Sequence, residues 1–255
     1  MKVTYEDHMG SDLSVVNAAK VSFGKRSVFE GRVGGPNVLS KQDQSLIAFL
    51  ARGCTSGDWS CLKDHLVNSV NVGEQTYTEE PEFDNLLNHI RKMPSHWSPF
   101  AHTAVTLHLK MPIFVARQIM KHTTGIEYNE ISRRYVDSEP EFYVPDVWRK
   151  KADNVKQGSS DEAVDIKMVN RTIYGYQREV YQDLLQCGVA PEQARMVLPQ
   201  SMYTEVIATG NLYAWANLYI QRSDSHAQKE TQDLAKQIGK IIQPLYPVSW
   251  KELTK

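Results

Sequence analysis

The chain has 255 residues, of which 29 are Lys or Arg, 30 are Asp or Glu and 41% are hydrophobic. This length allows a sizeable core, and we expect one elaborated domain over residues 1–255. Because the opposite charges nearly cancel, the composition excludes a large positive field for nucleic acid, and any anion site has to be local.

Apolar runs long enough to span a membrane are missing from the sequence, and its first residues lack the apolar core of a signal peptide. We therefore expect a cytoplasmic protein, in the host cytoplasm if the source is viral, with neither a membrane nor a nucleic acid as partner. The three cysteines are odd in number and have no CxxC spacing, which suits reduced thiols. His96, His102 and His108 recur at intervals that fit no usual zinc pattern, so we expect no metal.

Two short amphipathic helices are predicted in the first part of the chain. "MGSDLSVVNAAKVSF" has a cap at Ser11 or Asp12, and "LSKQDQSLIAFLARG" begins after Ser40 and ends at Gly53. Weak periodicity and many polar residues at about 54–90 then indicate an insertion. This insertion could pack at a subunit interface, cover an active site or decorate the surface.

The middle of the chain alternates apolar and polar residues over "TAVTLHLKM", which predicts a half-buried strand. Pro112 ends this strand and suits the first turn of a helix over "IFVARQIMKH". On that helix Arg117 and Lys121 would share one face near the C-terminal end. Two cations are therefore expected to point the same way just before the polar stretch "KHTTGIEYNEISRRY".

The second half is predicted to be mainly helical. "SSDEAVDIKMVNRTIYGYQREVYQDLLQCG" reads as one long helix that stops at Gly188, and "APEQARMVLP" reads as a short helix with Pro191 in its first position. One or two further helices follow up to about Pro244. With strands in the first half and near "SRRYVDSEPEFYV", the pattern favours an α+β fold. It contains neither a Rossmann glycine motif nor a phosphate-binding P-loop motif.

Several arginines lie in or beside apolar stretches. Arg133 and Arg134 would point to opposite faces of an extended segment, whereas Arg195 and Arg222 lie in or next to apolar helices. Each of them could make an ordinary ion pair, but an anionic ligand would explain them jointly, since guanidinium groups match phosphate oxygens. The segment "YNEIS" could orient a heterocycle or sugar; alternatively, Asn129 and Ser132 could simply cap a turn.

The stretch "NEISRRY" resembles the second half of the signature of the flavin-dependent thymidylate synthases, which is Asn-Glu-x-Ser-x-Arg-Tyr. Other segments are similar to family segments in the same order: "MGSDLSVVNAAKVSF", "HWSPFAHTAVTLHLKMPIFVARQ", "EFYVP", "ARMVLPQSMYT" and "RSDSHAQKE". Two departures stand out. The family triplet Arg-His-Arg is Lys121-His122-Thr123 here, and the spacer that follows is one residue longer, with Gly125 available to absorb the change.

The resemblance implies an α+β fold, a β-sheet flanked by helices, in a homotetramer whose active sites lie between subunits. It implies synthesis of dTMP from dUMP with 5,10-methylenetetrahydrofolate as carbon donor and FAD, reduced by NADPH, as hydride source. The absence of a convincing nucleophilic cysteine agrees with a flavin mechanism. Two alternatives stay open: an inactive relative that still binds nucleotide and flavin, and a phosphate-binding hydrolase acting on nucleotides.

The resemblance also implies roles for individual residues. Arg222 is the expected catalytic residue, because it matches the arginine that stabilises negative charge on the pyrimidine ring. The expected substrate-binding residues are Gln118, Lys121, Glu130, Ser132, Arg133, Arg134, Arg195 and Arg222. The expected flavin-binding residues are Ser98, Lys121, His122, Thr123, Glu130, Asn211, Tyr213 and Asn217.

Overall fold

The computed structural model describes residues 1–31, 37–52, 96–153, 159–166 and 169–255. The expected insertion at about 54–90 and the predicted helix end at Gly53 lie outside these residues. The chain forms two compact units, one of Met1–Met9 with Ala104–Ile242 and the other of Gly10–Thr103 with Gln243–Lys255. The expectation of a single domain over 1–255 stays a prediction.

Among its described residues, the first unit has six strands: β1 Lys2–Met9, β2 Ala104–Pro112, β3 Ile126–Glu130, β4 Trp148–Lys151, β5 Ser159–Val164 and β6 Tyr203–Gly210. Four of them form an antiparallel sheet in the order β1-β2-β6-β3, and β4 pairs with β5. Strand β2 buries Val105, Leu107 and Leu109, as its alternating pattern predicts. Since β6 pairs with both β2 and β3, the end of β3 lies beside β6.

Eight helices occur in the described ranges: α1 Asp12–Lys20, α2 Lys41–Ala51, α3 Ile113–Ile119, α4 Val169–Gln186, α5 Pro191–Ala194, α6 Leu212–Ser223, α7 Lys229–Ile242 and α8 Pro247–Leu253. The predicted α+β class is therefore confirmed. In the part of the chain that the structure describes, no helix is both long enough and apolar enough to cross a membrane.

Helices α6 and α7 pack together in the first unit and supply much of its core. Trp215 is fully buried, and its indole Nε1–H donates to the carbonyl oxygen of Val105 at 3.1 Å. Leu234 and Ile238 of α7 are also fully buried. Burial of such large apolar side chains contributes about 2 kcal/mol each, and it fixes α6, which carries several of the predicted site residues, against α7.

In the second unit, α1, α2 and α8 contact one another. The carboxylate of Asp12 is buried but accepts the backbone N–H groups of Val248 and Ser249 at 2.8 and 2.9 Å, at the start of α8. Ser40 caps α2 as predicted, accepting the backbone N–H of Asp43 at 3.0 Å. These caps satisfy polar groups that would otherwise be costly to bury.

Three local predictions were wrong. The expected long helix from "SSDEAV" onward starts only at Val169, because Ser159–Val164 pairs as β5 with β4. Helix α3 ends at Ile119, so Lys121 lies in the turn beyond it. Arg133 and Arg134 lie in a turn rather than in an extended segment, and they are therefore not forced to opposite faces.

Candidate active site

A cavity of about 690 Å³ in the first unit is lined by many cations. It combines the side chains of Arg117, Lys121, Arg133, Arg134 and Arg195 with a single carboxylate, that of Glu130. We call it the cationic cavity. An excess of positive charge in a concave site favours an anionic ligand.

The turn after β3 brings the signature residues to this cavity. The carbonyl oxygen of Ser132 accepts the backbone N–H groups of Tyr135 and Val136 at 3.0 and 3.2 Å, which closes the turn. The Ser132 hydroxyl accepts Nε–H of Arg134 at 3.2 Å, and Arg133 donates to the carbonyl oxygen of Ser138. The loop itself therefore orients both arginines, and both line the same cavity.

Two neighbouring elements hold the other side of the cationic cavity. The carboxylate of Glu130 accepts the hydroxyl of Thr204 on β6 at 2.6 Å, which ties the end of β3 to its neighbouring strand. Arg195 begins a short 3₁₀ turn after α5, and its Nε–H donates to the carbonyl oxygen of Glu192 at 3.2 Å. Over the ranges that the structure describes, no hydrogen bond to another residue occupies the terminal guanidinium nitrogens of Arg195.

A second cavity of about 630 Å³ is lined by Gln118, Arg149, Ser159, Arg222, His226, Ala227 and Gln228. We call it the Arg222 cavity; none of these lining residues is acidic. Gln118 and Lys121 were expected to line one pocket, but they separate, since Lys121 lines the cationic cavity and Gln118 lines this one. Within one copy of the chain, Arg222 therefore lines a different cavity from the five cations of the cationic cavity.

A chain of hydrogen bonds fixes the polar wall of the Arg222 cavity. Gln118 accepts the hydroxyl of Thr231 at 3.1 Å and donates to the side-chain oxygen of Gln228 at 2.7 Å. Gln228 in turn donates to Glu230 at 3.0 Å, and Arg149 donates to the same carboxylate at 2.8 Å. Burial raises the pKa of Glu230, but the hydrogen bonds from Arg149 and Gln228 outweigh it, so the pKa is lowered and the carboxylate stays ionised.

Arg222 contacts His122 directly. Its Nε–H donates to Nε2 of the imidazole at 2.8 Å, and both side chains are half-buried. Burial, and secondarily the guanidinium charge of Arg222, lowers the pKa of His122 to about 4. The imidazole is therefore neutral at physiological pH.

The residues expected to bind flavin are found in four places. Lys121 and Glu130 line the cationic cavity, while His122 contacts Arg222 and Thr123 is exposed in the following turn. The remaining members lie elsewhere: Asn211, Tyr213 and Asn217 at or on α6, and Ser98 in the second unit, where it lines a cavity of about 780 Å³. The side-chain oxygen of Asn211 accepts the backbone N–H of Ala214 at 2.9 Å, so Asn211 also caps α6.

Several residues in or beside the two cavities were missing from the predicted site, among them Arg117, Arg149, Gln228 and Glu230. Arg117 had a signal, because it lies on the predicted helix four residues before Lys121, but it had no assigned role. Arg149 had no signal in the sequence, whereas Gln228 and Glu230 lie in the family-like segment "RSDSHAQKE" but had no assigned role. Hydrogen bonds to Glu230 bring the three residues together. Within the described ranges, no group of His, Cys, Asp and Glu side chains is arranged to hold a metal ion.

The fold and the two cavities define an α+β protein, with an antiparallel sheet, flanking helices and arginine-lined cavities that favour anionic ligands. The sequence profile of the family described as "Thymidylate synthase complementing protein" matches residues 5–248. A flavin-dependent thymidylate synthase of Pseudothermotoga lettingae is 29% identical over 98% of this chain and 88% of its own length. One of Thermosipho africanus is 38% identical over 74% of this chain and 85% of its own.

The structure is also similar to a UMP/dUMP methylase, PolB of Streptomyces cacaoi, bound with 5-Br dUMP. The TM-score is 0.66 at 29% identity, over 99% of this chain and 94% of that one. This chain therefore belongs to the family of flavin-dependent thymidylate synthases. The resemblance of the signature, the fold class and the expected class of enzyme are confirmed.

Proposed function

We propose that this protein converts dUMP to dTMP, with FAD as its cofactor and 5,10-methylenetetrahydrofolate and NADPH as co-substrates. The observation that carries the proposal is the cationic cavity, in which five cations and one carboxylate surround the turn that bears the family signature. A nucleoside monophosphate supplies the compact anionic group that such a cavity favours. The name of the similar PolB structure, a UMP/dUMP methylase, supports a uridine nucleotide.

Arg134 and Arg195 are proposed to bind the phosphate, together with the Ser132 turn. Guanidinium groups donate pairs of parallel hydrogen bonds to phosphate oxygens, and both residues line the cavity with their terminal nitrogens available. Glu130 is already held by Thr204, so its carboxylate is fixed and can orient a hydroxyl or ring N–H of a ligand. Lys121 and Arg133 complete the positive wall.

Arg222 is proposed to act on the base. Among the residues that the structure describes, no carboxylate forms an ion pair with Arg222, and its hydrogen-bond partner His122 is neutral. A permanently charged group in a partly buried site stabilises negative charge that develops on the pyrimidine ring. The amide of Gln118, held by Gln228 and Thr231, is positioned to orient the ring edge.

The active site is proposed to form between copies of the chain in a homotetramer. In support, the cations proposed to bind the phosphate line the cationic cavity of one chain, whereas Arg222 and Gln118 line the Arg222 cavity. One nucleotide would contact the residues of both cavities if the cationic cavity of one copy lay against the Arg222 cavity of a second copy. A tetramer by light scattering, and loss of activity at dilutions where it dissociates, would support this arrangement.

The residues present suit a flavin. Lys121 supplies a positive charge for the diphosphate of FAD. The half-buried Tyr213 and Asn217 lie one turn apart on α6 and offer an aromatic ring and an amide to the flavin. His122, Thr123, Glu130, Asn211 and Ser98 complete the proposed flavin contacts. When bound, reduced FAD supplies the hydride, and the protein binds and orients the substrates around it.

The test is a visible spectrum of the purified protein followed by an assay for dTMP. We expect flavin absorbance, and NADPH oxidation that depends on dUMP, with dTMP formed only when methylenetetrahydrofolate is present. UMP is assayed beside dUMP, because the similar structure is described as acting on both. Flavin without turnover would favour the inactive relative, and absence of flavin with phosphate release would favour the hydrolase.

A further inference from the structure

The contact between Arg222 and His122 joins two residues that lie 100 positions apart in the sequence. Arg222 is near the C-terminal end of α6, and His122 is in the turn that follows α3. The proposed function assigns Arg222 to the base and His122 to the flavin. The hydrogen bond between them indicates a further task for His122.

The chemistry of this hydrogen bond determines the state of the imidazole. The Nε of an arginine side chain carries a hydrogen and can only donate, so Nε2 of His122 has to accept. A neutral imidazole that accepts at Nε2 carries its proton on Nδ1. Protonation at Nε2 would break the bond and place two cations in contact.

The same bond constrains the guanidinium of Arg222. An arginine side chain has four rotatable bonds and loses much rotamer freedom when it is ordered. With Nε–H held by the ring at 2.8 Å, the plane of the guanidinium is constrained while Arg222 lines the cavity. Among the residues that the structure describes, none accepts a hydrogen bond from its terminal N–H groups. Preorganised donors of this kind need no reorganisation when charge develops on a substrate.

We propose that His122 is a positioning residue whose neutral imidazole orients Arg222 toward the pyrimidine of the substrate. This inference rests on the proposed function and deepens it. Loss of the acceptor atom is expected to slow the chemical step by about tenfold to a hundredfold, the scale of effect that misplacement of a catalytic group by about 1 Å produces. Binding of NADPH is expected to be unaffected.

The surroundings of His122 offer a matched control. The charged or titratable groups beside it are Arg222 from α6, Tyr128 from β3 and its exposed neighbour Lys121. The Tyr128 hydroxyl donates to the carbonyl oxygens of Ile119 and His122 at 3.2 and 3.0 Å, and therefore holds the backbone of the turn but not the ring. Tyr128→Phe consequently loosens the turn without removing the acceptor.

The first measurement needs no catalysis. NMR titration of the histidine rings in the holoenzyme is expected to give a pKa of about 4 for His122. In Arg222→Met this pKa should rise, because the guanidinium charge and the bond to Nε2 are gone; a His122→Gln spectrum assigns the resonance. If the pKa of His122 is the same in Arg222→Met as in the wild type, the two side chains are not in contact, whether or not the protein makes dTMP. Absence of dTMP in the wild type would instead overturn only the proposed function.

The second measurement compares three variants after correction for flavin content. His122→Gln keeps an acceptor at the end of a side chain, so its kcat with dUMP should stay within about threefold of wild type. The kcat of His122→Leu should fall by the full tenfold to hundredfold, about the value expected for loss of the acceptor. Tyr128→Phe should resemble His122→Gln. If His122→Gln and His122→Leu fall equally, or if both fall only in proportion to lost flavin, His122 is a flavin contact and the positioning role is wrong.

Discussion

The backbone N–H of Asn211 donates to the carbonyl oxygen of Gly125 at 3.1 Å, and the side-chain amide nitrogen of Asn211 lies 2.7 Å from where a Cβ on Gly125 would be. Gly125 also has a φ of +78°, which favours glycine. The turn that carries His122 is therefore closed against the N-terminus of α6, whose C-terminal end carries Arg222. Gly125 lies in the spacer that the resemblance predicts to be one residue longer than in the family, and it is in close contact with Asn211.

Gly125→Ala is expected to lower the free energy of unfolding by about 2–4 kcal/mol, since it adds a steric clash to backbone strain. Gly188→Ala is the control, because Gly188 has a φ of +82° but nothing within 4 Å of its added Cβ. The control should lose only about 1 kcal/mol from strain. Urea denaturation measures both, and equal losses would show that the contact with Asn211 is not tight.

Arg222→Ala is expected to abolish dTMP formation, by at least about a hundredfold, while FAD stays bound. The reason is that, in the proposed function, the guanidinium acts on the base rather than on the flavin. Turnover and the flavin spectrum are measured on the same preparation. Lys229→Ala is the control, since Lys229 is an exposed cation that lies 3.6 Å from Asp233. Turnover of Arg222→Ala near the wild-type value would show that Arg222 is not required for catalysis.

Arg195→Ala is expected to reduce kcat/KM for dUMP about tenfold to a hundredfold, because it removes a charged hydrogen bond to the phosphate. Deoxyuridine, which has no phosphate, should be used equally slowly by variant and wild type. Lys150→Ala serves as a comparison, because Lys150 pairs with Glu162 on the β4–β5 hairpin. An equal loss with both substrates would mean that Arg195 does not bind the phosphate.

Thr123→Arg restores the last arginine of the family triplet but is expected to change FAD affinity by no more than about threefold. Thr123 is exposed and does not line the cationic cavity, whereas Lys121 does. Flavin release followed by fluorescence gives the affinity of both proteins. A large gain would show that position 123 faces the flavin in spite of the longer spacer.

Glu230→Ala is expected to lower the free energy of unfolding by about 3 kcal/mol, because it leaves Arg149 without its carboxylate. The Arg149→Met, Glu230→Leu double variant should recover part of this loss. Glu162→Ala removes an exposed ion pair and should cost less than about 1 kcal/mol. If the double variant is no more stable than Glu230→Ala, the ion pair is not the cause.

The pH dependence of stability has a defined sign for this residue. The folded-state pKa of Glu230 is lowered from 4.5, so its contribution is present above pH 4.5 and is lost as the pH falls through the folded value. Glu230→Gln should therefore show a smaller loss of stability on acidification below pH 4.5 than the wild type. Equal slopes in urea titrations would contradict the lowered pKa.

Local sequence was sufficient for elements whose pattern agrees with their packing. The alternation of β2, the cap at Ser40 and the stop at Gly188 were predicted because each depends on neighbouring residues alone. The strand Ser159–Val164 was missed, since its pairing with β4 is a non-local interaction that a helix-like pattern does not reveal.

The sequence by itself determined the family, the fold class and the cations of the signature, because these depend on residue identity and order. Tertiary structure alone decided which of them meet. It placed Arg133 and Arg134 in one cavity, moved Gln118 to another, and joined Arg222 to His122. Such contacts depend on where a strand ends and how helices pack, and a displacement of one residue along the chain redirects a side chain.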